Sequence, residues 1–403
     1  MNKRNLFYWS LYDFANSFVF INFLLYFSQW LVIDGGLSDF WYNAIFTISS
    51  IILLLSAPTL ASFTDKHGGR KYFLGFATLG TFLGYGLATL FAYMDQSIFL
   101  IAFCFLVGQY FYQLSFSFYN PLIEDIADTS HRARASGIGQ FANSLGQIMG
   151  LIMAIPFSQT RLQPLFPSIV VFLVLSLPMI LYFKEQKIKE TILTLKEFKS
   201  NTKEFFSKFI LFFSVSIATP MLVAFFFFND ALLTLSNNYS IYLERVFGTP
   251  DTTKNILLMI VLLMSAIGGL AFGKIADSIG TLKALKYILI SWIILLPILG
   301  LVTSFVPLVV CSALLGFFMG GIWTTTRAYL SQILKKEELG YGFSFYSIFE
   351  RFATFLGPLS WGGIIAIFGI GPQSYRIAII SLTIYIVIGL LVISYWKKLP
   401  EKI

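Results

Sequence analysis

The sequence predicts an all-α membrane protein that crosses the bilayer with twelve helices, arranged as two pseudo-symmetric bundles of six. Of its 403 residues, 57% are hydrophobic and 12% are charged, and the mean hydropathy is +0.77. A single soluble core could not bury that much apolar surface. Apolar runs of about 20 residues, the length of one crossing, recur along the chain, and one polar loop occurs twice.

The apolar runs divide evenly between two halves of the chain. In the first half the predicted spans lie near residues 7–31, 40–62, 71–93, 97–121, 135–157 and 166–183. In the second half they lie near 219–243, 255–276, 284–304, 306–330, 341–369 and 374–396. We therefore predict an N-terminal bundle at 1–183, a linker at 184–208 and a C-terminal bundle at 209–403. Where the seventh span starts stays open, because residues 205–218 are also apolar, and Pro220 marks either a kink in this span or its start.

The linker is the longest polar stretch of the sequence, and two interpretations of it stay open. It can form an amphipathic helix on the membrane surface, because Ile188, Ile192, Leu195 and Phe198 would share one face. It can equally be a solvated tether whose basic residues lie near anionic lipid.

The repeated loop lies between the second and third spans and again between the eighth and ninth. Its first copy is ASFTDKHGGRK at 61–71, and its second is GKIADSIGTLK at 273–283. The matching positions are Asp65 and Asp277, Gly68 and Gly280, and Lys71 and Lys283. A polar loop that recurs at the same place in each half indicates a duplicated chain.

The net charge of +8 does not indicate nucleic-acid binding, because of where the bases lie. Most of the 28 lysines and arginines fall in the two termini, the linker and one set of alternating loops. Only Arg161, Arg245, Lys254 and Arg376 fall on the other side. This asymmetry predicts that both termini are cytoplasmic, in a plasma (inner) membrane.

Nothing in the sequence indicates an enzyme. Cys104 and Cys311 lie within apolar spans and are expected to pack there. The two histidines, His67 and His131, fall in separate turns, and no metal-ligand spacing or nucleophile motif is present. We predict no metal site, no cofactor and a small-molecule substrate for a monomer in the lipid bilayer. A channel is harder to exclude, although a duplicated chain favours a carrier.

The pattern D-x-x-G-x-R-K, from Asp65 to Lys71, resembles the signature loop of the major facilitator superfamily of transporters. The resemblance covers nearly the whole chain and implies the major facilitator fold and a secondary transporter that works by alternating access. Ala61 stands where that family usually has glycine, and Leu282 stands where the first copy has Arg70. The second copy should therefore form the weaker latch.

The loop and its surroundings predict a releasable latch. The carboxylate of Asp65 can sit at the positive N-terminal end of a helix from the other half. Acids after the fourth span can pair with Arg70 or Lys71, each exposed pair contributing about 0 to 1 kcal/mol. The predicted latch residues are Asp65, Gly68, Arg70, Lys71, Glu124, Asp125, Asp277, Gly280 and Lys283.

Four ionisable residues within predicted spans stand out: Asp13, Asp230, Glu350 and Arg351. Each costs about 2.5 to 3.5 kcal/mol to insert and so needs a partner or a water-filled cavity. Asp13 shares a helix face with Asn16, and Asp230 is its counterpart in the second half. Either aspartate can be a fixed structural strut or a proton-coupling group. We expect Arg351 to pair with Asp230.

The segments YDFANS at 12–17 and FNDA at 228–231 resemble signatures of one branch of the superfamily, the vacuolar amino-acid effluxers linked to autophagy and their bacterial relatives. This resemblance implies export of amino acids or similar solutes. Export of a drug, siderophore or other amphiphile is the alternative. In the superfamily the first, fourth, seventh and tenth helices line the pathway. The predicted pathway residues are Asp13, Asn16, Gln109, Tyr112, Gln113, Asn229, Asp230, Asn237, Trp323, Glu350 and Arg351.

Overall fold

A computed structural model describes residues 2–127, 131–157, 159–185, 216–334 and 339–395, with a few positions between 203 and 214. Within these ranges all of the regular structure is helical apart from an isolated bridge residue at Gly68. The side chains of some residues inside helices, Asp65 and Arg351 among them, lie outside the described part. The predicted all-α class is confirmed.

The first half contains six long helices. They are α1 (Lys3–Asn22), α2 (Asp39–His67), α3 (Arg70–Tyr93), α4 (Ile98–Tyr119), α5 (Arg132–Ala154) and α6 (Leu165–Tyr182). Two π-helical segments, Phe23–Phe27 and Trp30–Asp34, extend α1, and a 3-10 turn, Asn120–Asp125, follows α4. When the two π-helical segments are counted with α1, each of these six helices coincides with a predicted span to within a few residues.

The second half contains seven helices within residues 216–334 and 339–395. They are α7 (Thr219–Phe247), α8 (Asp251–Ile279), α9 (Thr281–Leu301), α10 (Phe305–Ile333), α11 (Leu339–Phe352), α12 (Leu356–Phe368) and α13 (Pro372–Tyr395). Pro220 is the second residue of α7, so of the two interpretations it marks the start of that helix. The described residues include eleven helices long and apolar enough to cross a membrane, and α12 is a shorter apolar helix.

The predicted eleventh span, 341–369, is not one continuous helix, and this is a correction. The helix stops after Phe352 and starts again at Leu356. Pro358 supplies a physical reason, because in an unbroken helix its ring would clash with the carbonyl of Thr354 and it has no N–H to donate. Three residues of non-helical backbone therefore separate α11 from α12.

The chain forms two compact units. Unit 1 comprises Met1–Leu37 and Ile48–Ile210, and unit 2 comprises Ser38–Thr47 and Leu211–Ile403. The first residues of α2 thus pack with unit 2, which the sequence did not indicate. The predicted boundaries at 183 and 209 stay predictions.

Glycines allow close helix packing within each unit. In unit 1, a Cβ on Gly84 of α3 would overlap the backbone of Gly108 in α4. In unit 2, a Cβ on Gly320 of α10 would overlap the carbonyl of Ser265 in α8. These helices approach at distances that no larger residue permits at those positions.

Both copies of the repeated loop turn at a glycine with a positive φ. The predicted turn residues Gly68 and Gly280 have φ values of 78° and 92°, in the region that favours glycine. The first turn joins α2 to α3, and the second joins α8 to α9.

Candidate functional site

The break between α11 and α12 is held by a carboxylate from α7. Asp230 is completely buried. It accepts hydrogen bonds from the backbone N–H groups of Phe355 (3.3 Å), Leu356 (3.0 Å) and Gly357 (2.8 Å). These are among the unpaired donors at the start of α12, where the helix dipole also favours a negative charge. Asp230 therefore caps a helix that lies far from it in sequence.

Gly357 is required by this geometry. A Cβ placed there would lie 2.9 Å from Oδ1 of Asp230 and would also overlap the hydroxyl of Thr234. The absence of a side chain lets α7 bring its carboxylate onto the amides.

The pairing that we expected between Asp230 and Arg351 involves a side chain outside the described residues, so it stays a prediction. The partners of Asp230 that the structure does describe are backbone amides. Sequence reasoning found Asp230 because it is a charge in an apolar run, but it did not anticipate the cap. The signal that could have found it was Pro358, which marks a helix start within the eleventh span.

Beside Asp230, Asn229 connects three helices of unit 2. Its Nδ2 donates to the backbone carbonyl of Glu350 in α11 at 3.1 Å. Its Oδ1 accepts from Nε1 of Trp323 in α10 at 3.4 Å. Three of the predicted pathway residues are thus brought together.

An arginine that we did not single out completes this group. The guanidinium of Arg327 lies 3.6 Å from the carboxylate of Glu350, with 43% and 20% of the two side chains exposed. It also lies over the ring of Tyr346, 5.9 Å from the centroid. We call Asn229, Trp323, Arg327, Tyr346 and Glu350 the unit 2 polar cluster. The signal for Arg327 was the same as for Glu350, a charge in an apolar run.

At the other end of α7, polar residues bind the first turns of α2. The hydroxyl group of Tyr375 donates a hydrogen bond to the carboxylate of Asp39, and its oxygen lies 3.0 Å from Oδ1 and 2.9 Å from Oδ2. Asn43 and Asn238 exchange side-chain hydrogen bonds of 3.0 and 2.8 Å. All four residues are buried. Sequence reasoning missed them because asparagine is neutral and Asp39 stands at the edge of a span.

Asn237, which we predicted to be in the pathway, lies in this same region. Its backbone carbonyl accepts a hydrogen bond of 2.7 Å from the hydroxyl of Tyr42. Its side chain is 5% exposed. The structure therefore separates Asn237 from the unit 2 polar cluster, two turns along α7 from Asn229.

In unit 1, Asp13 is the start of a polar chain between α1 and α5. Nδ2 of Asn143 donates to Asp13 at 3.1 Å, and Nε2 of Gln147 donates to Oδ1 of Asn143 at 2.8 Å. Asp13 is only 8% exposed. Neither Asn143 nor Gln147 was predicted as a site residue, and the two lie one helical turn apart on α5.

One turn after Asp13, the amide of Asn16 is buried. Neither its oxygen nor its nitrogen has a hydrogen-bond partner among the described residues. An amide in that position costs free energy unless a ligand or water reaches it.

Aromatic rings line the same side of unit 1. Tyr119 stacks between Trp9 and Tyr12, with centroid distances of 4.7 and 5.2 Å. Further along, Phe20 stacks on the predicted pathway residue Tyr112 at 5.0 Å. Asn16 lies between these two stacks on α1.

The two predicted glutamines make hydrogen bonds between helices. Oε1 of Gln109 accepts from the hydroxyl of Tyr85 at 2.8 Å. Nε2 of Gln113 donates to the hydroxyl of Ser49 at 3.4 Å. These contacts join α4 to α3 and α2 within unit 1.

The first copy of the repeated loop is surrounded by acceptors. Arg70 lies 3.4 Å from the carboxylate of Glu124, the kind of pair that we expected. Glu185 accepts from the backbone N–H groups of Arg70 (3.0 Å) and Lys71 (3.1 Å), and so caps the start of α3. Lys71 also donates to the carbonyl of Phe183 at 3.1 Å. We missed Glu185 because it stands at the edge of the polar linker.

The remaining predicted latch residues are Asp65, Asp125, Asp277, Gly280 and Lys283. The carbonyl of Asp125 accepts a bond of 3.4 Å from Asn5. Asp277 and Lys283 are exposed, and the structure shows no hydrogen bond or ion pair from either to a described residue. The side chain of Asp65 lies outside the described part, so its proposed helix contact stays a prediction. The role of these residues in a gate stays a prediction.

Comparisons with known proteins agree on one family. The model of the Major Facilitator Superfamily matches residues 10–237 and 205–402. A Bacillus subtilis (strain 168) protein described as an uncharacterized MFS-type transporter, YxiO, is 24% identical, over 98% of this chain and 94% of its own length. An Aquifex aeolicus (strain VF5) protein described as uncharacterized is 24% identical over 79% of each chain.

Solved structures show the same fold. A nucleoside transporter, NupG, superposes with a TM-score of 0.73 at 13% identity, covering 98% of both chains. A bacterial homologue of the human lysosomal transporter Spinster, inward-facing and unoccupied, superposes with a TM-score of 0.71 at 15% identity. It covers 96% of this chain and 95% of that chain. At such identities the likeness concerns the fold, and the predicted major facilitator fold is confirmed.

Proposed function

This chain belongs to the Major Facilitator Superfamily, and on that premise we propose that it is a secondary transporter of a small organic solute, an amino acid or a similar molecule. It is an integral, multi-pass membrane protein. The proposal includes alternating access, export as the direction and protons as the coupling ion. It also includes a monomer with cytoplasmic termini in a plasma (inner) membrane, and no catalytic step.

The observation that carries the proposal is the cap that Asp230 forms on α12. Non-helical backbone at membrane depth is tolerated where it is buried in protein or lines a water-filled cavity. In secondary transporters, broken helices of this kind supply solute and ion sites. A carboxylate within the membrane at such a break is a candidate functional group, because placing a charge there costs free energy.

The cap also links proton binding to helix position. Both oxygens of Asp230 accept hydrogen bonds from the start of α12. A proton on this carboxyl removes the negative charge and turns one acceptor into a donor, so the three amides lose part of their partner. Protonation would thus loosen the start of α12, which is the coupling that the proposal needs.

The amino-acid assignment rests on the resemblance of YDFANS and FNDA to the vacuolar effluxer branch. Support comes from where these residues lie. Asp13 begins a polar chain in unit 1, Asn16 is a buried amide beside it, and Asn229 and Asp230 organise unit 2.

We propose that the repeated loops act as a latch, with the first copy the stronger. Arg70 is paired with Glu124, and Lys71 is bound to Phe183, whereas Asp277 and Lys283 are exposed. Leu282, at the position of Arg70, is buried and cannot form an ion pair. Exposed pairs such as Arg70 and Glu124 contribute little individually, which suits a contact that must open.

The test is transport by the purified full-length protein in liposomes under an imposed pH gradient. The panel contains amino acids, a nucleoside and amphiphilic drugs. We expect saturable, gradient-driven movement of an amino acid, and a loss of about tenfold or more in the Asp230→Asn variant, since a charge-assisted cap is removed.

The matched control is Asp95→Asn, the same chemical change at an exposed loop residue. It should transport as wild type does. Normal gradient-driven transport in Asp230→Asn would refute the coupling role, and movement of amphiphiles alone would replace the amino acid with the alternative substrate class. Labelled-solute counterflow separates a carrier from a channel, because only a carrier exchanges solute saturably.

A further inference from the structure

Arg327 is an arginine within an apolar membrane helix, and its position is unusual. It belongs to α10, roughly 9 Å along the axis from the end of that helix at the rise of an α-helix. Its side chain is 43% exposed. A guanidinium at membrane depth faces a bundle interior or a water-filled cavity, since facing hydrocarbon is costly. An arginine this exposed is accommodated where water or lipid headgroups reach its guanidinium, and not in hydrocarbon.

The contact that Arg327 makes with Glu350 is loose. The nitrogen-to-oxygen distance is 3.6 Å, whereas a charge-assisted hydrogen bond between such groups is about 2.7 to 2.9 Å. Glu350 itself keeps 20% of its side chain exposed. Another carboxylate could therefore approach the guanidinium and take the place of Glu350.

The surroundings of Arg327 are, by contrast, fixed. The ring of Tyr346 lies beside the guanidinium and stacks on Phe225 at 4.4 Å. Asn229 binds both the indole of Trp323, one turn from Arg327, and the backbone of Glu350. Asn229 therefore fixes the indole of Trp323 one helical turn from Arg327 on α10, as expected of a preorganised site.

We propose that Arg327 binds the carboxylate of the transported solute and that Glu350 is the internal carboxylate which the solute displaces. The guanidinium matches a carboxylate with two parallel N–H donors. Trp323 packs against the apolar part of the solute. The substrate class is a small organic carboxylate with an apolar or aromatic portion. This inference rests on the proposed function and deepens it.

Competition predicts that two variants change carboxylate affinity in opposite directions, whereas a purely structural ion pair does not. If Glu350 competes with the solute, Glu350→Gln removes the competitor and tightens carboxylate binding. Arg327→Gln removes the site and weakens binding. A pair that only stabilises the fold predicts that both variants lose stability and neither gains affinity.

The experiment measures binding to the full-length protein in detergent, by calorimetry and by the ligand-induced shift in Tm. The probes are matched pairs, L-phenylalanine with L-phenylalaninamide and benzoate with benzamide, together with uridine. We expect a carboxylate probe to bind and its amide partner not to bind. Arg327→Gln should weaken that binding by about tenfold to a hundredfold, the loss of a charged hydrogen bond, Arg327→Lys by less, and Glu350→Gln should strengthen it.

The control is Arg161→Gln, which removes an arginine paired with Asp34 in a loop of unit 1. It should bind the probes as wild type does. The proposal is overturned if no carboxylate binds, if amides bind as well as carboxylates, or if Glu350→Gln weakens binding. Transport of uridine that depends on Asp230 but not on Arg327 would leave the transporter assignment intact and remove this inference alone. Carboxylate binding without transport of any solute would support the role of Arg327 and remove the transporter assignment.

Discussion

The backbone N–H of Gly357 lies 2.8 Å from a carboxylate oxygen of Asp230, and a Cβ on that glycine would lie 2.9 Å from the other oxygen. Gly357 therefore donates a hydrogen bond to the carboxylate of Asp230 and, because it has no side chain, also leaves the space which that carboxylate occupies. The same helix contains a glycine without this constraint, because a Cβ on Gly363 would meet nothing within 4 Å.

We predict that Gly357→Ala lowers both stability and transport, whereas Gly363→Ala does neither. The added methyl group forces Asp230 away from the amides, and losing a cap costs about 0.5 to 2 kcal/mol. Alanine at the open position should be neutral or stabilising by up to about 1 kcal/mol. Thermal unfolding in detergent compares the two variants, and equal Tm values would contradict the cap.

Asn16 gives a prediction in which stability and activity move in opposite directions. Both polar atoms of its amide are buried without a described partner, so Asn16→Leu should raise stability, by about 1 to 3 kcal/mol if the full cost of a buried unsatisfied group is removed. The same change should lower transport, because the amide is available to a solute or water. Tm and liposome uptake are measured on one preparation. A variant with lower Tm and full transport would show that Asn16 has a structural partner.

Glu185 should control the start of α3. Glu185→Gln removes the charge that accepts from the amides of Arg70 and Lys71 and should destabilise that helix start by about 0.3 to 1 kcal/mol. Hydrogen exchange of the peptide covering 68–74 should become faster. Asp95→Asn serves as the control, and unchanged exchange in Glu185→Gln would rule out the cap.

The reciprocal amide pair of Asn43 and Asn238 is suited to a double-mutant cycle. Each side chain donates to the other, and interhelical bonds of this type in membranes average about 0.6 kcal/mol. We expect Asn43→Ala and Asn238→Ala to be non-additive by about that amount in unfolding measurements. A strictly additive double variant would show that the pair contributes no coupling.

Hydropathy was sufficient to predict the all-α class and the positions of the long helices, and the resemblance of the repeated loop supplied the major facilitator fold. Each long helix corresponds to a predicted span, and Gly68 and Gly280 stand at the turns where the repeated loop placed them. The break at Ala353 to Phe355 was not predicted, because residues 341–369 form one predicted span despite the charges of Glu350 and Arg351. The position of the break depends on Pro358 and on the carboxylate of Asp230 from α7. A hydropathy profile contains no information about either contribution.

The candidate site was predictable where charge stood out against an apolar background. Asp13 and Asp230 were found in this way, and Arg327 carried the same signal. Glu185, Asn143 and Tyr375 could not be found from sequence, because their significance depends on which helices pack together. Spacing along one helix predicts neighbours on that helix only.

The cap on α12 has a consequence for how the chain is made. Domains are synthesised from the N-terminus, so α7 enters the membrane before the ribosome has produced Phe355, Leu356 and Gly357. During that interval Asp230 lacks all three of its amide donors. The nascent seventh span is therefore costly to retain in lipid until the eleventh segment emerges and completes it.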